Sequence, residues 1–149
     1  MDLIFRQAQH SDLRDIARLL ADDLLGASRD GDQYLDSYAE ALTAVQAQTG
    51  NSIIVATLDE RIVGMLQLTL IPGLSRGGML RAQVESVRVA AEHRGRGIGR
   101  ILFEYAIQQA RDAGAGLLQL TTDKRRADAV RFYESLGFSA SHEGMKLNL

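Results

Sequence analysis

The residues best suited to chemistry are a run of arginines and glycines, RGRGIGR, at positions 94–100. The run follows a strand-like segment, VESVRV, and precedes an amphipathic segment that indicates a helix beginning near Gly97 or Ile98. Glycine lets backbone N–H groups approach a ligand, and the first N–H groups of a helix have no acceptor within that helix. Arginine side chains add donors that suit phosphate oxygens. The stretch therefore predicts a pyrophosphate site.

Two common phosphate motifs do not fit this stretch. A P-loop ends in Gly-Lys-Ser/Thr, which this stretch lacks. A dinucleotide fingerprint needs a glycine where Arg100 stands and a tight turn directly after the strand, whereas residues 90–93 intervene. A glycine-rich loop with solvated arginines is the simplest alternative. The strand before it and the amphipathic helix after it favour a ligand site.

The composition is that of an ordinary globular chain. Its 149 residues predict a single domain over 1–149, and 46% are hydrophobic and 24% charged. The net charge of −2 and the aromatic content of 5% argue against a nucleic-acid-binding module built on HRGRGIGR. The chain has no cysteine, which excludes disulfides and thiolate metal sites. No signal peptide, membrane span or metal-ligand spacing is evident, and we expect a cytoplasmic protein.

The periodicity predicts a mixed α/β fold with a largely antiparallel front half. The predicted order is strand, two helices, three strands, helix, strand, helix, strand. SIIVATL and RIVGMLQLTLI flank the turn DE and predict a hairpin, and MKLNL predicts a last strand. The first helix is expected to end near Gly26, and its apolar stripe consists of Leu13, Ile16, Ala17, Leu20 and Leu24.

The sequence resembles the GNAT superfamily of acetyl-CoA-dependent N-acetyltransferases. Its signature, Arg/Gln-x-x-Gly-x-Gly/Ala, is matched by Arg94, Gly97 and Gly99. A second block, FYESLGF at positions 132–138, is similar to the family's late tyrosine-bearing helix. The resemblance implies a twisted, mostly antiparallel sheet of about six to seven strands, flanked by about four helices and splayed between strands 4 and 5. Many members have proline at Ala91 and asparagine at Arg126.

The resemblance also implies a mechanism, in which an amine attacks the thioester of acetyl-CoA directly. Glu85 is the candidate general base, and it is expected to share a strand face with Val87 and Val89. The alternatives are a water relay, or an ion pair of Glu85 with Arg81 or Arg88. Tyr133 is the candidate general acid. The expected cofactor-binding residues are Val87, Arg88, Val89, Arg94, Gly95, Arg96, Gly97, Ile98, Gly99, Arg100 and Arg126.

The acceptor is expected to be a primary amine of a small molecule or a peptide. An acidic group near the first two helices would attract a cationic amine, although solvated helix-end charges explain most of its members better; it comprises Asp22, Asp23, Asp30, Asp32 and Asp36. A catalytically silent CoA-binding regulatory domain is the alternative function. The alternating MKLNL end is compatible with a homodimer.

Overall fold

The computed structural model describes residues 1–23 and 25–149. Leu24, predicted on the apolar stripe of the first helix, lies outside the described residues. The strands are β1 (Ile4–Gln7), β2 (Asn51–Leu58), β3 (Arg61–Ile71), β4 (Arg81–Val89) and β5 (Leu117–Gln119). The helices are α1 (Leu13–Ala21), α2 (Leu35–Ala47), the one-turn α3 (Ser75–Gly78), α4 (Ile98–Asp112) and α5 (Ala127–Ser135).

The contacts divide the chain into two units. The first unit is Met1–Gln119, which holds the sheet and helices α1 to α4, and the second unit is Leu120–Leu149, which holds α5. The prediction of one domain over 1–149 stays a prediction.

The sheet has the order β1-β2-β3-β4-β5, with antiparallel pairs up to β4 and a parallel pair between β4 and β5. This confirms the predicted mixed α/β fold with an antiparallel front half. The hairpin is also confirmed, because Asp59 and Glu60 join β2 to β3 with φ of 49° and 65°, as a tight hairpin turn requires.

The sheet of the described residues has five strands rather than six or seven. The predicted last strand, MKLNL, is not a strand: residues 145–149 pair with no described strand, and Met145, Leu147 and Leu149 are exposed. Apolar alternation alone does not form a strand, since a strand also needs a hydrogen-bonding neighbour.

The two faces of the sheet carry different helices. On one face, Val55 and Met65 lie in a buried cluster with Leu13 and Ile16 of α1 and Leu42 of α2. On the other face, an added side chain at Gly64 of β3 would contact Leu102 of α4. Leu66, Leu102, Phe103 and Ala106 are fully buried. The core therefore fixes the orientation of β3 and β4, the strands that lead to the glycine-rich turn.

Helix α1 is shorter than the sequence predicts. It ends at Ala21, five positions before Gly26, and Asp22 leaves the helical conformation with ψ of 45°. The Asp23 carboxylate accepts a hydrogen bond from the backbone N–H of Gly26. Aspartate competes in this way for backbone donors and favours a turn over a continued helix.

Candidate active site

A bulge interrupts β4 beside the candidate base. Along β3, two positions separate Gln67 from Met65, whereas their β4 partners, Glu85 and Arg88, are three positions apart. The extra residue is accommodated by Ser86, whose φ of 53° is in the left-handed region. Such a conformation is costly for a residue other than glycine and is concentrated at functional sites.

The bulge corrects the predicted face of Glu85. Directly opposed residues of an antiparallel pair lie on the same face, so Glu85 and Arg88 share the face of Gln67 and Met65. Val89 pairs with Gly64 and lies on the opposite face. The expectation that Glu85 points the same way as Val89 was wrong, because a bulge resets the alternation of side chains along a strand.

Glu85 is exposed, and the two arginines considered as its partners have other contacts. Arg88 Nε lies 3.8 Å from Asp23 Oδ2, and Arg81 Nη1 donates to Gln119 Oε1 at 3.3 Å. Within residues 1–23 and 25–149, no hydrogen bond or ion pair engages the Glu85 carboxylate. Its oxygens are open to a substrate amine.

The pairing between β4 and β5 ends beside Glu85. Their parallel pairing covers three positions, Arg81–Gln83 with Leu117–Gln119, and ends there. The predicted splay between strands 4 and 5 stays a prediction, because β5 itself ends at Gln119. The second half of β4, which contains Ser86, Val87 and Val89, has no pairing with β5.

The glycine-rich turn begins a long helix. Gly97 is the N-cap of the 15-residue helix α4, with φ of 80° in the left-handed region, and its carbonyl accepts from the N–H of Ile101 at 3.2 Å. Gly95 also has a positive φ, of 74°. A Cβ added at either glycine would meet nothing within 4 Å. The turn therefore presents bare backbone and the positive end of a helix dipole to open space, an arrangement that fits a phosphate group.

The side chains of this turn have distinct surroundings. Ile98 is 1% exposed, so its contribution to a ligand is limited to its backbone. Arg96 Nη1 lies 3.0 Å from His93 Nδ1 at the exposed surface. Gly99 and Arg100 lie in the first turn of α4.

Arg94, the first residue of the signature, binds the end of α1. Its guanidinium donates to the backbone carbonyl of Asp22 at 3.0 Å, to Asp22 Oδ2 at 3.2 Å and to the carbonyl of Val89 at 3.0 Å. Arg88 donates to the carbonyl of Val87 at 3.0 Å. Asp22 and Asp23 of the predicted acidic group are therefore paired with Arg94 and Arg88. Both arginines are among the residues predicted to bind the cofactor.

The other three aspartates of the acidic group, Asp30, Asp32 and Asp36, differ in their surroundings. Asp30 Oδ1 accepts from the Tyr38 hydroxyl at 2.8 Å, and that hydroxyl accepts from the N–H of Gly31 at 3.1 Å. Burial raises the pKa of Tyr38, so the phenol stays protonated and keeps donating. Asp32 and Asp36 are exposed at the start of α2.

In the second unit, Tyr133 lies in an aromatic cluster on α5. Its ring centroid is 5.5 Å from that of Phe132 and 6.0 Å from that of Phe138. The backbone N–H groups of Leu136 and Phe138 donate to its carbonyl as the helix ends. The ring is half-buried, so it packs against its neighbours while part of the side chain stays accessible.

The basic residues before α5 have acidic neighbours. Arg126 is the N-cap of α5, and its N–H donates to the carbonyl of Asp123 at 2.9 Å. Arg125 forms two side-chain hydrogen bonds with Asp123, of 3.0 and 2.7 Å, which lower the pKa of that carboxyl. Lys124 Nζ lies 3.9 Å from Glu143 Oε2.

Neither a membrane-spanning helix nor a metal-ligand group occurs in the described part of the chain. None of the helices there combines the length and apolar character needed to cross a membrane. No group of three or more His, Cys, Asp or Glu residues there is arranged to hold a metal ion.

Sequence reasoning missed the bulge at Ser86 and the pairing of Asp22 and Asp23 with arginines. The segment VESVRV alternates regularly and carries no glycine or proline that would mark a bulge. The ion pairs join positions 65 to 72 residues apart, and a single sequence does not indicate such pairings.

A family model matches most of the chain. The model of the acetyltransferase (GNAT) family matches residues 13–138, and the chain belongs to this family. The predicted resemblance is confirmed.

Individual relatives extend this result. The chain is 42% identical over 59 residues to streptothricin acetyltransferase of Streptomyces lavendulae, which is 40% of this chain and 31% of that enzyme. It is 34% identical over 89 residues to glucosamine 6-phosphate N-acetyltransferase of Trypanosoma brucei brucei, which is 60% of this chain and 58% of that enzyme. The matched segments thus span less than two thirds of these curated relatives.

A solved structure matches nearly the whole chain. A protein of Bacillus halodurans C-125, described as a transcriptional regulator, superposes with a TM-score of 0.95 at 45% sequence identity. The match covers 99% of this chain and 100% of that one.

Proposed function

We propose that the protein is an acetyl-CoA-dependent N-acetyltransferase that acts on a primary amine of a small molecule or peptide. The observation that carries the proposal is the turn of residues 94–100, where Gly97 places the N-terminus of α4 against open space directly after β4. The family match supports the cofactor class. When bound, acetyl-CoA supplies the activated acetyl thioester.

The backbone of the turn is proposed to hold the pyrophosphate. The first N–H groups of α4 have no acceptor within the helix, and the helix dipole adds positive potential at Gly97, Ile98 and Gly99. Gly95, Arg96 and Arg100 complete this binding turn. Arg126 is proposed as a further cofactor contact.

The unpaired half of β4 is proposed to bind the pantetheine arm as an added strand would. Val87 and Val89 contribute through their backbones. Arg88 and Arg94 are proposed to position this half of β4. They bind the carbonyls of Val87 and Val89, and they anchor the end of α1. A backbone N–H near Val87 is the proposed donor to the developing oxyanion.

Glu85 is proposed to accept the proton of the attacking amine. Its carboxylate is exposed, lies beside the bulge and is engaged by no described residue, so an ammonium group has access to it. Tyr133 is proposed to donate a proton to the departing thiolate. Its neighbours Phe132 and Phe138 fix the ring.

The alternative, a silent CoA-binding regulatory domain, has the same fold and cofactor, and only turnover separates the two. The predictions of a cytoplasmic location, of a homodimer and of no nucleic-acid partner stay predictions.

The test is amine-dependent release of free CoA from acetyl-CoA, measured with a thiol reagent and a panel of primary amines. Glu85→Gln is expected to lower kcat at neutral pH about 10²-fold or more, as loss of a general base does. The difference in kcat between wild type and Glu85→Gln should become smaller at high pH, because more of the substrate amine is then already deprotonated. Glu104→Gln, at an exposed position of α4, is the matched control. Release by wild type that no amine accelerates would support the silent domain instead.

A further inference from the structure

A row of polar side chains crosses the sheet beside the proposed site. Asn51 of β2 lies opposite Thr69 of β3, Thr69 lies opposite Gln83 of β4, and Gln83 lies opposite Gln119 of β5. We call these four residues the polar row. All four are partly buried. On the opposite face of the same strands, Leu68, Val84 and Ala82 are buried, so only one face is polar here.

Hydrogen bonds order the two ends of the polar row. Thr69 Oγ1 donates to Asn51 Oδ1 at 3.2 Å, and Gln119 Nε2 donates to Gln83 Oε1 at 2.9 Å. Gln67, one row closer to the helices, donates to Asn51 Oδ1 at 2.9 Å. These contacts hold the amides in fixed orientations, which a selective binding surface needs.

Three groups facing the same side retain unused hydrogen-bonding capacity. Among the described residues, none accepts from Gln83 Nε2, none donates to Gln67 Oε1, and none engages Glu85. Gln67 lies directly opposite Glu85, and Gln83 precedes Glu85 by two residues on the same face. The donor of Gln83, the acceptor of Gln67 and the carboxylate of Glu85 therefore lie next to one another.

This group lies where the pairing of β4 with β5 ends. Gln83 and Gln119 are the last paired positions of the two strands, and Glu85 occupies the first level on that face without a β5 partner. A substrate whose amine meets Glu85 would place its remaining groups against Gln67 and the polar row.

Two ion pairs reduce the negative charge that Asp22 and Asp23 could offer to a polycationic substrate. Asp22 and Asp23 are paired with Arg94 and Arg88, so their negative charges are largely compensated. The polar row itself is neutral. Amides both donate and accept hydrogen bonds, as hydroxyl groups also do.

From these observations we infer that the acceptor is a hydroxylated primary amine of the amino-sugar type, with Gln67 and Gln83 as residues that determine specificity. The inference rests on the proposed acetyltransferase function. The amine lies at Glu85, and ring hydroxyls bind the open amide groups of Gln67 and Gln83. Acetyl transfer forms the amide bond and breaks the thioester C–S bond. The amine proton passes to Glu85, and CoA leaves as a thiolate that takes up a proton.

The test compares glucosamine with cyclohexylamine, which has a six-membered ring without hydroxyls, and with spermidine and a short peptide. Wild type is expected to show a kcat/KM for glucosamine about 100-fold above that for cyclohexylamine, because open polar groups reject an analogue that cannot pair with them. Gln67→Leu and Gln83→Leu are each expected to lower kcat/KM for glucosamine about 10-fold or more, and to change that for cyclohexylamine less than about 3-fold.

Gln108→Leu, on the exposed surface of α4, is the matched glutamine control and should leave both values unchanged. Calorimetry of glucosamine against the CoA-bound protein gives a second readout, in which the two β-strand variants should weaken binding by a similar factor. A kcat/KM of wild type for spermidine, cyclohexylamine or the peptide above that for glucosamine would overturn the inference. Equal losses of kcat/KM for glucosamine and cyclohexylamine in Gln67→Leu and Gln83→Leu would overturn it as well. Failure of wild type to bind acetyl-CoA would instead overturn the proposed function.

Discussion

Replacing Gly97 by alanine separates the shape of the glycine-rich turn from its role in binding. Gly97 has φ of 80°, and a Cβ added there would meet nothing within 4 Å. The substitution therefore introduces no internal clash. Gly114, just after the other end of α4, has φ of 86° and equally open surroundings, so Gly114→Ala is a matched control.

The expected loss of stability is the same for both variants. A residue with a Cβ costs about 1–2 kcal/mol in the left-handed region. For a chain of this size, about 1 kcal/mol corresponds to a decrease in Tm of roughly 2–4 °C. Neither variant should unfold at 25 °C.

The expected loss of ligand affinity differs sharply. In Gly97→Ala the methyl group occupies the space proposed for the pyrophosphate and costs at least one charge-assisted hydrogen bond, about 1.5–3 kcal/mol. The Kd for acetyl-CoA should therefore rise about 10- to 100-fold, since each 1.4 kcal/mol is a factor of ten. In Gly114→Ala it should not change.

The assay is isothermal calorimetry of acetyl-CoA with each variant, together with its thermal unfolding curve. Equal affinities for the two variants, with equal decreases in Tm, would refute the assignment of the turn as the pyrophosphate site. A much larger decrease in Tm for Gly97→Ala would refute the claim that its Cβ meets open space.

Three further predictions concern stability and chemistry. Asp12 is 7% exposed and accepts two hydrogen bonds from Arg6, which lower its pKa, so Asp12→Asn should cost about 2–3 kcal/mol in urea unfolding. The difference in unfolding free energy between Asp12→Asn and wild type should be full above about pH 4 and vanish as the pH falls through the lowered pKa of Asp12. A difference that stays constant with pH would contradict this. Ser86→Gly should unfold within about 0.5 kcal/mol of wild type, and Ser86→Val should lose about 1 kcal/mol or more, because a β-branched residue tolerates φ of 53° poorly; the opposite order would refute the left-handed bulge. Tyr133→Phe should keep its affinity for acetyl-CoA in calorimetry and lose about 10-fold or more in kcat, and an unchanged kcat would remove its proposed role as the acid.

Much of the fold follows from local patterns. Gly97 marks the start of α4 because only glycine adopts its conformation without strain, and Asp59-Glu60 marks the hairpin because two apolar runs flank it. These signals lie within a few residues of the structure that they specify. The same holds for the candidate turn, whose basic and glycine residues are contiguous.

The rest depends on contacts between distant segments. Regular alternation in VESVRV gave no sign of the bulge at Ser86, and that bulge decides which side chains face the same way as Glu85. The partners of Asp22 and Asp23 come from β4 and the turn that follows it. The polar row requires the register of four strands, which alternation within one strand does not determine.

The assignment of residues 94–100 as a cofactor site is tested most directly by a calorimetric titration of the unmodified protein with acetyl-CoA. We expect saturable binding of one acetyl-CoA per chain, because the sequence contains one glycine-rich turn of this kind, and competition by free CoA. Absence of binding, or binding unaffected by free CoA, would contradict the assignment of residues 94–100 as a cofactor site and with it the acetyltransferase function.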